Sequence, residues 1–147
     1  MFVYSKMTLF FIFLMSFVVS AQSEKINLAN ILVDANVLKA QGVTDGQSGI
    51  ARADLNNDNL KELVEYSYSS STPPGTCDKD DCLSSLNNDP MLTFKINFNN
   101  GNAIDVSYFC TSIGVLSEWH NGMKDLFCGP EYILRWNGES YETDDHL

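Results

Sequence analysis

Asp54, Asn56, Asp58, Leu60 and Glu62 alternate through one short acidic stretch, and this spacing could do one kind of chemistry: holding a hard metal ion. Calcium takes six to eight oxygen ligands in a flexible arrangement, so side chains at alternate positions of a tight loop suit it. Asp54, Asn56 and Asp58 take the first, third and fifth positions, Leu60 offers its backbone carbonyl, and Glu62 can ligate directly or through water. Asn59 stands where such loops usually carry glycine, and asparagine tolerates the left-handed backbone needed there, with weaker binding as the expected cost. The competing reading is a hydrogen-bonded Asx turn without metal.

Glu65 falls where a helix-loop-helix site puts its bidentate ligand. In a helix Glu62 and Glu65 would share a face, whereas in a strand residues three apart point to opposite faces. The run Tyr66-Ser67-Tyr68-Ser69-Ser70 favours a strand, and Glu65 is then a doubtful ligand.

The elements that must position this loop are read from periodicity. Ile50–Leu55 leads in as a strand and Leu63–Ser69 leads out as another. Leu28, Ile31, Leu32, Ala35 and Leu38 recur at helical spacing, which predicts an amphipathic helix over 27–41, with Asn27 as N-cap and Gly42 as stop. Residues 69–90 read as a long loop holding Cys77 and Cys82. Met91–Phe98, Asn99-Asn100-Gly101-Asn102 and Ala103–Phe109 form the clearest hairpin. A mixed segment to Trp119, a turn at His120-Asn121-Gly122, a strand around Leu126-Phe127-Cys128 and a final pair of strands about Asn137-Gly138 complete the chain. The expected fold class is α+β: a mainly antiparallel β-sheet with one N-terminal helix and a strand-loop-strand calcium loop.

Residues 1–21 read as a signal peptide. Lys6 is followed by the apolar run Leu9–Val19, interrupted only by Ser16, and the stretch ends Val19-Ser20-Ala21. The run falls short of the roughly 20 residues that span a bilayer, and no later stretch could do so. Residues 22–147 are then one globular domain, periplasmic or secreted. The whole chain carries 19 acidic against 9 basic residues, net −10, and loses only Lys6 among its charges with the leader. Such a surface repels nucleic acid and anionic lipid and favours a basic partner.

All four cysteines, Cys77, Cys82, Cys110 and Cys128, follow the leader, and an oxidising compartment would join them as two disulfides. Three pairings are open in principle; shared loop position favours Cys77–Cys82 with Cys110–Cys128. A zinc site is disfavoured because no Cys-x-x-Cys pair occurs. For catalysis, only a thiolate at Cys110 or Cys128 with His120 as base can be assembled, and bonded cysteines would remove it, so no enzyme is expected. His146 lies at the chain's frayed end. Trp136 reads as packing, whereas Trp119 and His120, in an expected loop, are the candidate partner contacts.

The stretch Ile50-Ala51-Arg52-Ala53-Asp54-Leu55-Asn56-Asn57-Asp58-Asn59-Leu60-Lys61-Glu62-Leu63-Val64 resembles the strand-loop-strand unit of FG-GAP and VCBS-type repeats, without the glycines of their loop and without further repeats. The resemblance implies calcium on Asp54, Asn56, Asp58, Leu60 and Glu62, and does not imply a full propeller. More loosely, the exported acidic domain, its paired cysteines and its Trp-Asn-Gly-x-x-Tyr ending resemble periplasmic immunity proteins that block peptidoglycan-cleaving type VI secretion effectors. The functional expectation is a calcium-binding protein that binds and inhibits a basic cell-wall hydrolase or toxin. The alternative is a calcium-stabilised structural or adhesion module of the envelope.

Overall fold

A computed structural model describes residues 29–71 and 89–143. Among the described residues nine strands, all paired antiparallel, form two sheets: a five-stranded sheet ordered β1-β6-β7-β8-β9 and a four-stranded sheet ordered β2-β3-β4-β5. The strands are β1 (Asn30–Asp34), β2 (Ser48–Ala53), β3 (Glu62–Ser69), β4 (Met91–Asn97), β5 (Ala103–Cys110), β6 (Ser112–His120), β7 (Met123–Cys128), β8 (Tyr132–Trp136) and β9 (Tyr141–Thr143).

Over its described residues the expected N-terminal helix is replaced by a strand and a short helix, α1 (Ala35–Ala40). Residues 30–34 pair with β6, from Asn30 opposite Val115 to Asp34 opposite Ser112, so the hydrogen bonds of that stretch are satisfied across strands. Helix formation begins only where Asp34 can cap it, its Oδ1 accepting from the amides of Asn36 at 2.8 Å and Val37 at 3.1 Å. Gly42, at φ +80°, ends it as expected. The fold is therefore β-rich, with the helix reduced to one and a half turns.

The two sheets share one core. Val64, Tyr68, Leu92, Phe94, Ile96 and Val106 from one sheet meet Ile113, Val115, Leu126, Leu134 and Tyr141 from the other. Alternation along β3 decides what faces inward: Glu62, Val64 and Tyr68 are buried, while Glu65 points to the outer face. Ser112–Leu116 of β6 are buried without alternation, which is why this interior strand reads as mixed in sequence. Asn121 (φ 51°) and Gly122 (φ 85°) close the β6–β7 hairpin, both in the left-handed region that a two-residue primed turn demands.

The chain crosses between sheets at Thr111, where β5 ends and β6 begins. Its amide donates to the carbonyl of Gly129 at 2.9 Å, and the Gly129 amide donates to the Ser112 carbonyl at 2.8 Å. A side chain at Gly129 would meet Ser112 Oγ at 2.3 Å, so only glycine allows this approach. Beside it Cys110 and Cys128 form a disulfide, one cysteine from each sheet, in the pairing that shared loop position favours. Cys77 and Cys82 lie outside the described residues.

Candidate metal centre

The acidic loop, residues 54–61, joins β2 to β3, whose pairing runs down to Ala53 opposite Glu62. Asn57 (φ 61°) and Asn59 (φ 65°) both adopt left-handed backbone, the conformation expected of Asn59. These reversals turn amides inward to the acidic side chains. Asp54 accepts from Asn57 N at 2.6 Å and from Asn59 N at 3.1 Å, one bond on each carboxylate oxygen. Asn56 Oδ1 accepts from Asp58 N at 3.1 Å, Asn56 Nδ2 donates to Asp58 Oδ2 at 3.0 Å, and Asp58 Oδ1 accepts from Leu60 N at 2.7 Å. Asp54, Asn56 and Asp58 are thus brought together by a chain of Asx turns.

Beneath the loop the contacts become long-range. Leu55 is fully buried, its amide donating to Glu62 Oε2 at 2.8 Å and its carbonyl accepting from Lys124 N of β7 at 2.8 Å. Glu62 is also fully buried, and its Oε1 accepts from Asn99 Nδ2 at 3.1 Å. The loop base is consequently tied to the β4–β5 hairpin through Asn99 and to the five-stranded sheet through Lys124. Tyr141 adds to this floor, its hydroxyl donating to the Lys124 carbonyl at 2.9 Å. Burial pushes the Tyr141 phenol well above its ordinary range, and the nearby carboxylates of Asp125 and Glu62 push it further the same way.

Whether these residues fit a metal is a matter of donor chemistry. Each carboxylate oxygen offers two lone pairs, and the backbone bonds use one on each oxygen of Asp54. Free lone pairs remain on Asp54, Asn56 and Asp58, and Leu60 supplies a main-chain carbonyl, all hard donors of the kind calcium takes. Among the described residues no three His, Cys, Asp or Glu side chains converge as a ready metal cluster. The reason is local: Glu62 is turned beneath the loop onto Leu55 and Asn99, and the remaining donors include an amide and a carbonyl. The set fits a hard cation held by two carboxylates, with Glu62 bracing the loop from below.

Glu65 faces away from this site, as strand geometry requires, with its carboxylate 3.1 Å from Lys95 Nζ. Trp119 and His120 lie at the end of β6, where they pair with Lys124 and Met123, and not in a loop as expected. Trp119 is 41% exposed, with Lys124 Nζ 5.4 Å from its ring centroid. His120 Nδ1 is 2.6 Å from Oδ1 of the buried Asp125, whose other oxygen lies 3.5 Å from Arg135 Nε. The disulfide leaves neither Cys110 nor Cys128 as a thiolate for His120. His146 lies outside the described residues.

Sequence reading missed Asn99, Lys124 and Asp125. Asn99 reads as an ordinary turn residue, and Lys124 acts through its main chain, so neither advertises its role. Asp125 is visible as a lone acid in the apolar stretch Leu126-Phe127-Cys128 and Met123, a signal of a paired buried charge. Compared with family models, curated proteins and solved structures, the chain shows no match.

Proposed function

We propose that the chain is an exported calcium-binding protein that acts by binding and inhibiting a basic peptidoglycan-degrading hydrolase or toxin. The observation that carries the metal part is the loop itself: Asp54, Asn56 and Asp58 gathered on a backbone already wound by two left-handed asparagines. Calcium would be held by Asp54, Asn56, Asp58 and the Leu60 carbonyl, with Glu62 holding Leu55 and so the loop's seat. The ion would supply charge neutralisation and rigidity, which lowers the ordering cost of any surface built around the loop.

The partner class follows from charge and exposure. A net charge of −10 attracts basic proteins, and Trp119 offers a large exposed ring on a hairpin held by backbone pairing. The leader pattern of residues 1–21 and the Cys110–Cys128 bridge are both compatible with an oxidising exported setting.

Turbidity of a peptidoglycan suspension, cleared by each of a panel of basic wall hydrolases, tests the proposal. The calcium-loaded protein is expected to slow at least one hydrolase stoichiometrically, and Trp119→Ala to weaken the effect by about tenfold or more, as an interface anchor should. Full clearing rates for every panel member with the protein in excess would remove inhibition and leave a calcium-stabilised structural or adhesion module.

A further inference from the structure

The loops at the acidic-loop end of the molecule border a groove of about 520 Å³ that shares only Asn56 with the proposed metal ligands. Its walls come from both sheets: Phe98, Asn100 and Asn102 from the β4–β5 hairpin, Trp136 from the end of β8, Glu139 from the β8–β9 turn, and Asn56 from the acidic loop. From these residues we infer that the groove is a binding site for an uncharged saccharide.

Three features of the lining carry this. Trp136 lines the groove and is half-buried, its indole braced by Phe98 edge-on at 6.4 Å and by Tyr141 tilted at 5.3 Å, which makes it a restrained apolar surface in the wall. A pyranose ring presents an apolar C–H face that such a surface covers. Around it stand groups with unused hydrogen-bonding capacity. Asn100 Oδ1 accepts from Asn102 N at 2.9 Å, and among the described residues neither the Asn100 amino group, the Asn102 side chain nor the Glu139 carboxylate has a side-chain hydrogen bond. Amides donate and accept at adjacent atoms, and a carboxylate accepts twice, which matches the mixed donor and acceptor character of neighbouring sugar hydroxyls.

Charge separates a sugar from the other flat ligand that stacks on indole. Glu139 borders the groove, and the chain as a whole is net −10, so a nucleotide's phosphates are repelled. The site is also held without a metal. Asn137 Oδ1 accepts from Glu139 N at 2.8 Å and Ser140 N at 2.9 Å, and the β4–β5 turn closes through Phe98 N to Asn102 O at 2.8 Å. Asn56 aside, the lining is separate from the metal ligands, so variants at Asn102 and Glu139 test the inference apart from the calcium and hydrolase readings.

The test is a fluorescence titration in a Trp119→Phe background, which leaves Trp136 as the remaining indole of the two in the chain. The probes are β-1,4-linked tetramers of glucose and of N-acetylglucosamine, an α-1,4-linked glucose tetramer, and a short oligothymidylate as the stacking anion. A saturable change in Trp136 emission with at least one tetramer, weakened about tenfold by Asn102→Ala or Glu139→Gln, is expected, since the first removes an amide and the second replaces a charged acceptor oxygen with a donor, changes of the strength that sets one decade of affinity. Both variants alter exposed side chains, and an unchanged circular dichroism spectrum separates lost binding from lost folding. No saturable change with any tetramer up to about 10 mM would overturn the inference. So would saturation that both folded variants leave unaltered, or binding of the oligothymidylate in preference to every sugar.

Discussion

Strand β7 is fastened to the opposite sheet at both of its ends, and the two fastenings are of different kinds. At its far end Cys128 is bonded covalently to Cys110 of β5, with the Thr111 and Gly129 amides closing the corner beside it. At its near end Lys124 N donates to the carbonyl of Leu55, whose own amide rests on Glu62, and above these lies the acidic loop. The first fastening is apolar, bonded and indifferent to ions. The second rests on hydrogen bonds to carboxylates, and under the proposed calcium binding the same strand would be anchored permanently at one end and conditionally at the other.

Breaking the covalent end should have the largest effect. Cys110→Ser with Cys128→Ser opens a closure of 18 residues in sequence, and a loop of about that size is worth roughly 3 kcal/mol. Thermal melting should fall by about 10 °C, by equal amounts with and without calcium. A calcium-dependent loss would mean that the two ends are not independent. At the other end Glu62→Ala leaves Leu55 N and Asn99 without their buried acceptor, at a cost of about 2 kcal/mol. Chemical denaturation should show that loss together with weakened calcium affinity, the combination that the disulfide variant must not show.

The difference between the ends also explains what could be read in advance. The strands flanking the loop and the Asn-Gly hairpins are local signals and are legible in the sequence, as is the Cys110–Cys128 half of the favoured cysteine pairing. The span 27–41 is not, because Leu28, Ile31, Leu32, Ala35 and Leu38 fit a helix, whereas pairing with β6, some eighty residues later, makes residues 30–34 a strand. Trp119 and His120 read as loop residues for a related reason: β6 is buried on both faces over Ser112–Leu116 and carries no alternation to extend. Within the site, the ligand spacing was visible, but the burial of Glu62 and its grip on Leu55 and Asn99 depend on contacts across the fold.

Smaller changes sharpen the account. Asn59→Ala keeps every carboxylate but puts a Cβ with no local hydrogen bond into left-handed backbone, and should cost about 1 kcal/mol in urea unfolding, whereas Asn59→Gly should cost nothing and tighten calcium binding. Equal behaviour of the two would show that the loop backbone relaxes in the alanine variant. Alkaline pH probes the floor that the loop shares with β7. Because the folded Tyr141 phenol is raised above its value in the unfolded chain, its contribution is complete below pH 10.0 and is lost as the pH climbs beyond it. Tyr141→Phe should flatten that alkaline decline in a pH series of melting curves; an unchanged slope would assign the decline elsewhere.

Isothermal titration with calcium reaches the central claim most directly, comparing the intact protein with a variant carrying Asp54→Ala and Asp58→Ala together. One ion per chain should bind the intact protein and raise its stability by about 2.7 kcal/mol at 100 times the dissociation constant, and the double variant should lose both the heat and the gain. Undiminished binding by the variant, or no binding by the intact protein, would contradict the account.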